Sequence, residues 1–205
     1  MIGDSITDAG RARPVGEGVF DAIGKSYVGN IDALLCAGYP AYFIRVVNQG
    51  SSGHTVRDLK ARWQTDVLDL KPDWLSIMIG TNDVWRQFDI PRQKETHVYI
   101  EEYEQIYEEL IQKTRPVLKG LILMTPFYIE PNKNDAMRAQ MDCYGAVVRR
   151  LANKHGAIFV DTQAAFDEVL KTYYPATIAW DRVHPTQTGH MIIARAFLKS
   201  IDYRW

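Results

Sequence analysis

The chain has 205 residues (23.4 kDa), a hydrophobic share of 46% and 24 basic against 25 acidic side chains, for a net charge of -1. That balance argues against a nucleic-acid or anionic-membrane partner, which would need a basic face, and no apolar run approaches the ~18 residues of a membrane span. Size and composition fit one domain, 1–205, able to bury a sizeable core.

Met1-Ile2 is only the stub of a strand, and it ends at Gly3-Asp4-Ser5-Ile6-Thr7. From Val19 to Leu35 apolar positions recur at helical spacing and stop at Gly38 and Pro40. Phe43 to Val47 is β-branched and apolar, which predicts a buried strand running into the loop Gly50-Ser51-Ser52-Gly53. Thr55 to Leu70 returns to helical period, and Trp74 to Ile79 is a second apolar run, stopping at Gly80-Thr81-Asn82-Asp83. A helix over Tyr99 to Thr114 leads to a third strand, Leu121 to Met124, closed by Thr125-Pro126. Asp135 to Lys154 is helical, Ala157 to Val160 a fourth strand and Ala164 to Leu170 a short helix; Pro185 opens the last helix, to about Ile201.

Strands that are near-continuous apolar runs, alternating with helices, specify a parallel sheet covered on both faces. The loops after Ile2, Val47, Ile79 and Met124 all follow strand carboxyl ends, the edge where such sheets bind ligands. Cys36 and Cys143 form no C-x-x-C pair and read as buried thiols of a reducing compartment. With no signal-peptide pattern in the first residues, the expectation is a soluble, cytoplasmic protein.

Taken alone, Asp4-Ser5 is a helix cap, since Asp and Ser are preferred there. The far end of the chain changes that reading. Asp181 and His184 are three apart, so one turn holds both side chains together, and Pro185 biases His184 toward an extended backbone that aims its ring out of a loop. A strand-end serine, a histidine base and an aspartate to orient it are the parts of nucleophilic acyl transfer. Gly50, Gly53 and Asn82 are ordinarily turn formers, yet they also suit an oxyanion hole, a glycine through a close backbone N–H and the asparagine through an uncharged amide donor. A metal reading of His184 is weak, because His190 is the only nearby nitrogen ligand and its spacing fits no helical pair. Gly18 to Gly24-Lys25-Ser26 has the wrong glycine spacing for a phosphate loop, and Thr7 stands where a nucleophile elbow needs glycine.

Together, Gly3-Asp4-Ser5, Asn48 to Gly53, Gly80-Thr81-Asn82-Asp83 and Asp181 to His184 resemble the four blocks of the SGNH (GDSL-type) hydrolase family, in order and across nearly the whole chain. The stretches Gly3 to Asp8 with Gly10 to Pro14, Val56 to Trp63, Asn82 to Gln87, Met124 to Glu130 and Trp180 to Pro185 are similar to the bacterial intracellular acetylxylan esterases of that family. The resemblance implies a flavodoxin-like three-layer α/β/α sandwich. It makes Ser5 the nucleophile, His184 the base and Asp181 its orienter, with an oxyanion hole from Ser5, Gly53 and Asn82. It implies acetylated xylo-oligosaccharides as substrates, a homo-oligomer that can be a ring-like octamer, and no metal or cofactor. Family members carry a full first strand before the serine block, so Met1-Ile2 reads as a truncated one. Trp85, Arg86 and Trp180 flank the catalytic blocks and are expected at the substrate, with Phe127 and Tyr128 nearby. The alternative is a lipid or thioester hydrolase on the same machinery; a non-catalytic carbohydrate-binding protein is disfavoured by all five catalytic positions being present.

Overall fold

The apolar runs pair as a parallel sheet. In the computed structural model, which describes residues 1–205, β1 (Ile2–Gly3), β2 (Gln49–Gly50), β3 (Trp74–Met78), β4 (Gly120–Met124) and β5 (Ile158–Val160) stand in the order β2-β1-β3-β4-β5. Side chains alternate across it, as the pleat dictates. Leu75, Ile77, Leu121 and Leu123 enter one core with α3 (Val56–Trp63), α5 (Ile100–Thr114) and α6 (Ala136–His155). Met78, Ile122 and Met124 enter a second core with α1 (Ser5–Asp8), α2 (Tyr27–Gly38), α7 (Thr162–Val169), α8 (Pro175–Ile178) and α9 (Gln187–Ser200). The result is the expected α/β/α sandwich.

Local signals fix the helix ends. Asp135 caps α6 by accepting the Arg138 N–H at 3.0 Å, and Gly156 closes it in the left-handed conformation. Thr55 and Asp58 form a capping box that starts α3. β1 is only two residues long yet sits between β2 and β3, pairing Ile2 with Gln49 and Ile77. This is the position where strand order reverses, so the crevice beyond Gly3 opens between the two helical layers.

Several expectations are corrected. Phe43 to Val47 is not a strand: Phe43 is 92% exposed and left-handed (φ 49°), and strand pairing waits for Gln49. The segment 19–24 is not helical either; Phe20 and Asp21 have positive φ, and α2 starts only where the Ser26 hydroxyl accepts the Val28 N–H. A ninth helix, α4 (Thr81–Asp89), occupies what reads in sequence as a turn. Cys36 and Cys143 are exposed rather than buried, and they are unpaired. Phe127 belongs to the second core, against Phe166.

Candidate active site

The site assembles at the carboxyl edge of β1 and β3. β1 ends at Gly3, Asp4 caps α1 by accepting the Ile6 N–H at 3.0 Å, and Ser5 is the first residue of that helix. Its hydroxyl is therefore presented at a helix N-terminus, where backbone N–H groups have no intrahelical acceptor. Burial pushes the Asp4 carboxyl up to about 6, opposed by the Ile6 N–H.

His184 arrives from the loop between α8 and α9. Its Nε2 lies 3.0 Å from Ser5 Oγ, and its Nδ1 lies 2.6 Å from Asp181 Oδ2. The other Asp181 oxygen accepts the Val183 and His184 N–H groups at 3.0 and 2.8 Å. Burial by itself would raise the Asp181 carboxyl, but the bonds from His184 and Val183 hold it below the usual carboxylate range. The turn that folds Asp181 back onto His184 passes through Arg182 in the left-handed region (φ 63°), a conformation costing about 1–3 kcal/mol for a non-glycine residue. Two bonds hold it there: the Arg182 carbonyl accepts the Ile129 N–H at 2.9 Å, and its guanidinium pairs with Glu130 at 2.5 Å.

Three candidate donors stand at this edge of the sheet: the Ser5 and Gly53 N–H groups and the Asn82 amide. The N–H groups of Ser5 and Gly53 donate to no protein acceptor. Gly53 takes φ 80°, which L side chains adopt only with strain, so glycine is required there by the backbone. Asn82, the second residue of α4, donates one amide hydrogen to the His54 carbonyl at 3.0 Å and has the other unused. Gly80 precedes it at φ 129°, where a Cβ would lie 2.9 Å from Pro126 and the Tyr103 hydroxyl.

Residues outside the sequence-based assignment hold these donors. Asp8 accepts from the Ser52 N–H and hydroxyl and from Arg13, fixing the loop that carries Gly53. Asn48 donates to the Thr7 and Ile23 carbonyls and accepts the Gly50 N–H, binding that loop to α1. Asp83 is fully buried; its Oδ1 accepts the Val56 N–H at 3.0 Å, tying α4 to α3, while Oδ2 has no partner. Burial pushes the Asp83 carboxyl up to about 7, opposed by the Val56 N–H and reinforced by the Asp4 and Asp58 carboxylates. Asp4, Asp8 and Asp83 all lie within the motif stretches, but nothing in the sequence separates an aspartate that supports a loop from one that reacts.

Of the residues expected at the substrate, Trp85 sets its ring 5.7 Å from the His184 imidazole, edge to face. Trp180 is 82% exposed and lines a cleft of about 330 Å³ with Tyr174, Glu130 and Arg182. Arg86 lies along α4 between Asn82, one turn back, and Asp89, one turn on. His190 accepts the Tyr27 N–H at the start of α2 at 3.2 Å. A separate polar cleft of about 280 Å³ between α6 and α7 contains none of these residues.

Residues 1–192 match the GDSL-like lipase/acylhydrolase family. An acetylxylan esterase of Geobacillus stearothermophilus is 63% identical over 205 residues, spanning 100% of this chain and 94% of that protein. The crystal structure of Axe2, an acetylxylan esterase of the same species, superposes with a TM-score of 0.98 at 63% identity, covering 100% of this chain and 93% of that one. LAE5, an α/β hydrolase enzyme from the metagenome of Lake Arreo, superposes with a TM-score of 0.97 at 56% identity, covering 98% of this chain and 93% of that one. Catalytic mutants of Axe2 replace a serine, an aspartate and a histidine by alanine, at the same mutual separations along the chain as Ser5, Asp181 and His184.

Proposed function

Because the chain belongs to the GDSL-like lipase/acylhydrolase family, we propose that it is a serine esterase removing acetyl groups from acetylated xylo-oligosaccharides, with Ser5, His184 and Asp181 as its catalytic residues. The observation that carries the assignment of residues is the unbroken line of contacts from Ser5 Oγ through the imidazole to Asp181.

Ser5 Oγ attacks the ester carbonyl while its proton passes to His184 Nε2. Asp181 holds the tautomer with hydrogen on Nδ1 and stabilises the imidazolium that forms. Negative charge on the carbonyl oxygen is met by the Ser5 and Gly53 N–H groups and the Asn82 amide, donors that need no reorganisation during the reaction. His184 returns its proton to the leaving sugar hydroxyl. It then takes one from water, which releases acetate from the acyl-enzyme.

Trp85 and Trp180 flank the catalytic residues, and their broad faces with polar edges suit a sugar ring and a small acyl group better than a long chain. A homo-oligomer accords with the exposed aromatics Tyr173, Tyr174 and Trp205, a residue type enriched at interfaces. No helix is long and apolar enough to cross a membrane, and a cytoplasmic location accords with two unpaired, exposed thiols. The deciding experiment is acetate release from acetylated xylo-oligosaccharides by the unmodified protein and by Ser5→Ala. Release by the first alone supports the reading; equal release by both, or by neither, removes it.

A further inference from the structure

On a helix, residues three, four and seven apart share a face, and long side chains lean toward the amino terminus. Along α4 that stripe is Asn82, Trp85, Arg86 and Asp89. Arg86 follows the rule: its Nη2 donates to Asn82 Oδ1 at 3.3 Å, one turn back. Its Nη1 pairs with Asp89, and its guanidinium carbon stands 5.2 Å from the Trp85 ring centroid. Asp89 and Trp85 therefore hold the guanidinium in place from two sides.

The consequence falls on the Asn82 amide. Its oxygen takes a charged donor from Arg86, and one N–H is committed to the His54 carbonyl. Rotating the amide by half a turn would set Nδ2 against guanidinium N–H groups and Oδ1 against a carbonyl oxygen. Both contacts would be repulsive, so a single orientation survives, and the second N–H has a fixed direction.

We propose that Arg86 is a positioning residue for the oxyanion hole, locking the Asn82 amide with its free N–H toward the reacting carbonyl and polarising it as negative charge develops. The inference rests on the acyl-transfer reading above. It reassigns Arg86 from the sugar, where its donors were expected, to the donor that meets the oxyanion.

The test compares kcat and KM for Arg86→Ala, Arg86→Lys and Asn82→Ala on p-nitrophenyl acetate, which has no sugar, and on an acetylated xylo-oligosaccharide. Removing an oxyanion donor costs ~10²–10³-fold in kcat, so loosening one should cost Arg86→Ala about 10-fold or more, equally on both substrates and with KM unchanged. Arg86→Lys should recover part of the loss, because its ammonium can still reach Asn82 Oδ1 but cannot also hold Asp89. In an Asn82→Ala background, Arg86→Ala should cost nothing further, since the two act as one unit. Should Arg86→Ala unfold, Asp89→Asn, which leaves Arg86 in place but slackens its hold, must still lower kcat on both substrates. A rise in KM confined to the oligosaccharide, or a loss that persists in the Asn82→Ala background, overturns the inference. Unchanged kcat in Asn82→Ala itself would instead sink the oxyanion assignment on which it rests.

Discussion

Ser5 Oγ and His184 Nε2 lie 3.0 Å apart although 179 residues separate them in the chain. The contact exists because β1 delivers the serine to the middle of the sheet edge, while α9 packs on α2 and sets the loop before it over the same edge.

Ser5→Ala and His184→Ala should each lower kcat by ~10⁴-fold or more, and the double variant should be scarcely worse than either. Burst and steady-state kinetics on p-nitrophenyl acetate read this directly. Multiplicative losses would mean that the two residues share no proton-transfer step.

Asp181→Asn should cost ~10⁴-fold in kcat while leaving the loop folded, because an asparagine oxygen can still accept the Val183 and His184 N–H groups. Its amide nitrogen would then face His184 Nδ1 and favour the tautomer with hydrogen on Nε2, which cannot take the serine proton. A loss of only a few-fold, with unfolding midpoint unchanged, would show that Asp181 does not set the tautomer.

Asp83 makes stability depend on pH. Its folded value, about 7 against 3.8 for the free group, means the native state holds a proton the unfolded chain has released. The contribution is therefore full below pH ~4 and is lost as pH rises to about 7, by up to about 4 kcal/mol. Asp83→Asn, a neutral isostere, should match the wild type near pH 4 and exceed it increasingly toward pH 7 in urea titrations. A difference that stays flat over that range would mean the carboxyl is ionised in the fold.

Acetyl esters should outpace octanoyl esters in kcat/KM, each excess methylene costing up to ~1–3 kcal/mol where the pocket cannot yield. Trp180→Ala should narrow the gap if the exposed ring walls the acyl group. Octanoyl esters proving the better substrates of the unmodified protein would put the lipid or thioester reading in place of the acetyl one.

The frame was legible wherever burial is two-sided: Trp74 to Met78 and Leu121 to Met124 are apolar throughout because helices cover both faces. Legibility failed at short, edge-bound pieces. Phe43 to Val47 precedes β2 without forming a strand: its first residue is left-handed and exposed, and the sheet register starts at Gln49. Val19 and Phe20 carry helical spacing by coincidence, being solvent-exposed in a left-handed turn. The meeting of Ser5, His184 and Asp181 could be read from the motif blocks, but α4 could not, since Gly80-Thr81-Asn82-Asp83 has the composition of a turn and only its packing on α6 declares a helix. That miss concealed the stripe in which Asn82, Trp85 and Arg86 share a face.

The distance in sequence between Ser5 and His184 also sets when activity can arise during synthesis. Ser5 is made 179 residues before the histidine proposed as its base. A nascent chain stalled anywhere short of residue 184 thus carries a serine with no imidazole to activate it and lacks α9, the helix that packs on α2. On the proposed mechanism such incomplete products lack the base that activates Ser5, so ester turnover waits for the loop that carries His184.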